Sequence, residues 1–163
     1  MKEDYVINNE TVVVMSVGIS CCKVFEKDET FEVNMSLKDI LELSCNYFGS
    51  SFEGRIEGSK YHLEYNYKLP IIIDETRNII IFPTKSYRDI TNSVICVNQI
   101  LDYEKRNNDI LLYVKNGKCI EINDSYGMFE NQYLKAQKLN MKLDRIKNTS
   151  LWGVFFINFF KIG

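Results

Sequence analysis

The residues best placed to do chemistry as a group are Lys135, Lys138, Lys142 and Arg145, which recur at steps of three, four and three. On a helix that spacing puts them on one face, where like charges repel by a few tenths of a kcal/mol per neighbouring pair. One use is a ridge that follows a phosphate backbone. The other is a solvated face whose cations suit the negative end of the helix macrodipole. A second group, Arg55, Lys60, Lys68, Lys85 and Arg88, is interleaved with Phe52, Tyr61, Tyr65, Tyr67 and Tyr87. Here Glu53, Glu57 and Glu64 nearly cancel the cations nearest to them.

Other chemistries find less support. Cys21, Cys22, Cys45, Cys96 and Cys119 match no zinc spacing, and their odd number suits reduced, mostly buried thiols. His62 is the single histidine and has no evident triad partner. No G-x-S-x-G, Walker or H-E-x-x-H pattern occurs, so neither enzyme activity, a cofactor nor a metal is expected. The 163 residues carry a net charge of −2, which argues against binding nucleic acid by bulk charge alone. No apolar run approaches the roughly 20 residues of a membrane span, and no signal peptide is visible, so a cytoplasmic protein is expected.

These side chains need a scaffold, and the pattern predicts an α+β one. Thr11 to Val17 is a β-branched run; Cys21 to Phe25 and Phe31 to Val33 flank a polar turn and suggest a hairpin. Leu37, Ile40, Leu41, Cys45 and Phe48 fall on one helical face, opened by Ser36 as N-cap and closed by Gly49. From Gly49 to Pro70 the chain turns polar and glycine-containing, which reads as a loop. Ile71 to Ile73 and Ile79 to Phe82 form a further pair, bracketed by Pro70 and Pro83. Thr84 to Asn92 is a second polar loop. Val94 to Tyr103, Ile110 to Val114 and Lys118 to Ile122 read as strands, the last two joined by Asn116-Gly117. A long amphipathic helix spans about Ser125 to Ile146, capped by Asp124 or Ser125, with Phe129, Tyr133, Ala136, Leu139, Leu143 and Ile146 as its stripe. Charge is uneven: acids outnumber lysines before Cys45, and the closing helix reverses the sign.

Several pieces occur in a recognisable order: FGSS-aromatic-x-GR (Phe48 to Arg55), P-I-x-I-D (Pro70 to Asp74), I-x-FPT-x-S (Ile80 to Ser86), and Phe129-Glu130-Asn131-Gln132 opening the basic helix. Together they resemble the bacterial competence transcription factor family, ComK, over roughly residues 10 to 147. The resemblance implies an activator of genes for DNA uptake and transformation. It implies binding to paired A/T-rich boxes in double-stranded DNA, mainly through the minor groove, by a homo-oligomer under the control of a Clp protease adaptor, and away from the membrane.

On the matched motifs, Ser50 and Ser51 are candidates for bonding phosphate or base acceptors. Arg55 is the candidate for groove insertion, and Lys60, Lys68, Lys85 and Arg88 for backbone contacts, with Ser86 positioning a phosphate. The helix row Lys135, Lys138, Lys142 and Arg145 completes the set. The narrow A·T minor groove is strongly negative, so a few converging cations suffice even on a mildly acidic protein. The structural alternative is that FGSS caps a helix and FPT ends a strand. Residues 1–147 form the family-like domain. Residues 148–163, ending LWGVFFINFFKIG, depart from the family's charged ending. They read either as the product of an interrupted frame or as a short natural variant whose tail packs as a last strand or helix. The first leaves a fragment that keeps the fold, or acts as an interaction module, without activating.

Overall fold

The computed structural model describes residues 1–162, with side chains described for residues 1–149. Along them come three strands, two α-helices, six further strands and a third α-helix. Six strands form an antiparallel sheet: β1 (Thr11–Gly18), β2 (Cys21–Glu26), β3 (Thr30–Val33), β4 (Ile71–Asp74), β5 (Ile79–Pro83) and β6 (Ser93–Cys96), in the order β3-β2-β1-β6-β5-β4. The expected hairpins form, β2 on β3 and β4 on β5. Asn78 makes the second turn with a positive φ of 54°.

Alternation sorts this sheet's side chains into two cores. Ile80, Phe82 and Ile95 point to one face; Ile79, Ile81, Val94 and Cys96 point to the other. The second face is covered by α1 (Leu37–Tyr47), through Leu37, Ile40, Leu41 and Cys45. As its sequence suggests, Ser36 Oγ accepts from the Asp39 amide (3.1 Å), and Gly49 follows with φ +83°. The first face is covered by α3 (Tyr126–Ile162) and a three-stranded sheet of β7 (Ile100–Arg106), β8 (Asp109–Val114) and β9 (Cys119–Ile122). Phe129, Ala136, Leu139 and Leu143 of the predicted stripe are buried there, and Phe129 meets Phe82 edge-on at 5.6 Å. The small sheet is tied back to the large one by its Asn116-Gly117 turn. Asn116 Nδ2 donates to Lys27 O (2.7 Å) and Asp28 Oδ1 (2.8 Å) between β2 and β3.

Three expectations need correcting. The stretch read as one strand, Val94 to Tyr103, breaks at a 3-10 turn, Val97–Gln99, which carries the chain from the large sheet into the small one. The long helix does not stop near Ile146 but runs to Ile162. How the side chains after Thr149 pack lies outside the described residues. The largest correction concerns the loop read between Gly49 and Pro70. It contains α2 (Phe52–Leu63). Ser51 Oγ caps it by accepting from the Gly54 amide (2.9 Å), and Glu64 ends it with φ 60°. Gly54 and Gly58 each cost about 1 kcal/mol relative to alanine in a helix, which hid it. Its buried residues, Ser59 and Leu63, make no visible stripe. Tertiary contact holds it instead: α2 lies along β4, with Phe52 and Ile56 packed on one core and Leu63 in the other. It thereby covers an otherwise open sheet edge.

Candidate nucleic-acid interface

The site is built where α2's end, the loop after β5 and the start of α3 meet. Ser125 Oγ accepts from the Met128 amide (3.3 Å) at the start of α3, and no acidic residue occupies the first turn. The partial positive charge of that helix end is therefore not offset by a carboxylate of its own first turn. Just before it, Asp124 Oδ1 accepts from the Ser125 amide (2.9 Å), while Oδ2 is buried without a partner.

Four of the expected cations come together here. Lys68, Lys135 and Lys138 line a cleft of about 550 Å³ with Tyr65, Met128, Asn131, Gln132 and Leu134. Lys135 Nζ sits 4.9 Å from the centre of the Tyr65 ring and Lys138 Nζ 5.7 Å, so one ring faces both ammonium groups. Lys85 lines a second cleft, about 390 Å³, with Lys105, Asn123, Asp124 and Tyr126. Asp124, in the wall of the second cleft, feels the charge of a lysine from each. Burial raises its carboxyl above the ordinary range, opposed by the Ser125 amide and by the nearby charges of Lys68 and Lys85. Lys135 reports the same crowding, its pKa lowered first by burial and then by Lys68. None of Lys68, Lys85, Lys135 and Lys138 forms an ion pair with a described residue. Lys142, half-buried, and Arg145, exposed, continue the row along α3.

The remaining candidates are placed differently. Ser51 Oγ is committed to capping α2, and Ser50 is half-buried at the turn before it. Arg55 is not a free arm for a groove. Its side chain is 15% exposed and donates to Glu75 Oε1 at 2.6 Å, fastening α2 to the β4–β5 turn. Lys60 pairs with Glu57 at 3.6 Å and lines neither cleft. Ser86 Oγ accepts from the Arg88 amide (3.3 Å). Arg88 borders a separate groove with Leu41, Phe52 and Ile90.

Sequence reasoning missed Lys105, Asp124 as an ionic partner, and Gln132. Lys105 lies in β7 between Glu104 and Arg106, where local charge balance masks it. Gln132 lay within the quoted Phe129–Gln132 run without a role. Cys22, Cys45 and Cys96 are buried, and burial pushes their thiols up to about 12, 11 and 12, which keeps them protonated and unreactive. His62 packs edge-on against Tyr61 at 5.2 Å. Among the described residues no His, Cys, Asp and Glu cluster could hold a metal, and no helix is long and apolar enough to cross a membrane.

Comparison with known proteins bears on the same residues. The competence transcription factor of Bacillus subtilis (strain 168) is 34% identical over 149 residues, covering 88% of this chain and 78% of that protein. No solved structure matches. The family described as ComK protein matches residues 2–147, a span that holds both clefts and the whole α3 cation row. The chain belongs to the ComK family.

Proposed function

We propose that this protein is a competence transcription factor that binds double-stranded DNA through the face formed by Lys68, Lys85, Lys135 and Lys138. The observation that carries this reading is their convergence, from three separate elements, around Tyr65 and the start of α3 on a chain of net charge −2. Binding by overall charge is unavailable to such a protein, so a local cationic surface must do the work. Lys142, Arg145 and Lys105 extend the surface as further phosphate contacts. A/T-rich boxes fit it best, because a narrow A·T minor groove concentrates negative potential where few cations are needed.

The test is an electrophoretic shift titration with A/T-box and G/C-rich duplexes at two salt concentrations. The A/T duplex should bind more tightly, with a slope of log K against log salt of about −4.5 to −6.3 for five to seven contacts at roughly 0.9 each. No shift of either duplex at low salt would overturn the reading.

One observation favours a second reading. The family match stops at residue 147, inside α3, which runs on to Ile162. DNA binding without activation would follow if the part beyond the match no longer serves assembly or transcription. A reporter assay beside the shift assay separates the two.

A further inference from the structure

Three of the four converging lysines sit on, or directly beside, segments that one side chain bonds at the same time. Gln132 is 3% exposed, in the second turn of α3. Its Nε2 donates to Lys68 O (2.7 Å) in the α2–β4 connection and to Pro83 O (3.0 Å) at the end of β5, two residues before Lys85. Its Oε1 accepts from Lys135 Nζ (3.1 Å) on its own helix. The orientation of the carboxamide is fixed by chemistry: only the NH2 end can satisfy two carbonyls, and only the oxygen can receive an ammonium. No other residue type offers two donors and an acceptor on a neutral side chain of that length. Lys68 takes a left-handed φ of 48°, a conformation that non-glycine residues rarely hold without support.

We propose that Gln132 is the positioning residue of the cationic face, setting the separations of Lys68, Lys85 and Lys135 by bonding all three of their segments at once. For its purpose this rests on the DNA-binding reading above; its geometry does not. Losing the amide frees the α2–β4 connection and the β5 end from α3, and the lysines spread under their mutual repulsion.

The test uses Gln132→Met, which keeps length and burial but has neither donor nor strong acceptor. In folded Gln132→Met the salt slope for an A/T duplex should fall by about two units, as two phosphate contacts are lost. The Lys135 ammonium, followed by NMR, should depart from the parent's titration, because it loses its Oε1 acceptor and Lys68 withdraws from it. A folded variant with the parent's slope and the parent's Lys135 titration overturns the proposal. A second measurement needs no variant and so survives any failure of Gln132→Met to fold. In the unaltered protein the Gln132 side-chain amide protons should exchange at least about tenfold more slowly than those of exposed Asn131. Equal rates overturn the proposal as well. Titration and exchange require no DNA, so a parent protein that fails to shift any duplex counts against the proposed function alone.

Discussion

Cations are used in opposite ways in two neighbouring regions of this molecule. Along α2 and the β4–β5 turn, each has a carboxylate partner: Arg55 with Glu75 at 2.6 Å, Lys60 with Glu57 at 3.6 Å, Arg77 with Asp74 at 2.7 Å. Around Tyr65 and the start of α3, Lys68, Lys85, Lys135 and Lys138 gather without forming an ion pair to any described residue. The first region uses charge to fasten elements to each other. The second leaves its charge without a neutralising ion pair, its ammonium groups bonded at most to neutral groups such as Gln132 and Thr91. A residue's type and its place in a motif do not decide between these uses; the carboxylates that folding brings beside it do.

The contrast can be broken most forcefully at the open face. Replacing Lys68, Lys135 and Lys138 together by alanine should remove roughly three contacts, lowering A/T-duplex affinity by two to three decades at about 0.1 M salt. Circular dichroism should show the fold retained. A triple variant that binds like the parent would end the distinction between the regions.

Arg55→Ala probes the fastened side. Its loss should cost about 1–2 kcal/mol of stability, from the ion pair and the buried aliphatic stem, read as a lower denaturation midpoint at unchanged slope. Duplex affinity of the folded fraction should stay at the parent's value. A folded Arg55→Ala protein with weakened binding would return Arg55 to the DNA-contacting set.

Among the described residues that line the two clefts Asp124 is the one carboxylate, so it sharpens the comparison. Asp124→Asn should tighten duplex binding about fivefold, roughly 1 kcal/mol of relieved attraction at surface-like screening. The pH dependence has a definite sign. Burial raises the Asp124 carboxyl in the folded chain, so the native state holds that proton more tightly than the unfolded chain does. This contribution to stability is complete below the ordinary carboxylate range and is lost as pH rises through the folded value. Binding should likewise tighten as pH falls through that value, and Asp124→Asn should flatten the change. The smallest effect is expected for Lys60→Ala, within about 0.5 kcal/mol in both stability and binding. A larger loss of affinity would extend the open face onto α2.

Much of the scaffold was legible in the residues. Ser36 and Gly49 bounded α1, the proline brackets marked the β4–β5 pair, and the stripe from Phe129 to Leu143 announced α3. These signals are local, and local signals survive in a sequence. α2 was not legible, because its two glycines lower intrinsic propensity and its support comes from distant β4 and both cores. The site was half legible for the same reason. The α3 row is periodic and could be found. That Lys68 and Lys85 would join it depends on Gln132 bridging three segments, and that Arg55 would not depends on Glu75, twenty residues away. Neither partner lies near enough in the chain to be seen from its neighbour.

The Asn116-Gly117 joint between the sheets has a consequence for the protein's shelf life. An asparagine followed by glycine is the pair in which the next peptide nitrogen most readily attacks the side-chain carbonyl. Ammonia leaves, and water opens the resulting imide to aspartate or isoaspartate. At residue 116 that change would set a carboxylate against the Lys27 carbonyl and the Asp28 carboxylate, where a donor now sits. Stored samples would then age by loosening the small sheet from the large one, and a one-dalton mass increase at this peptide would date the material.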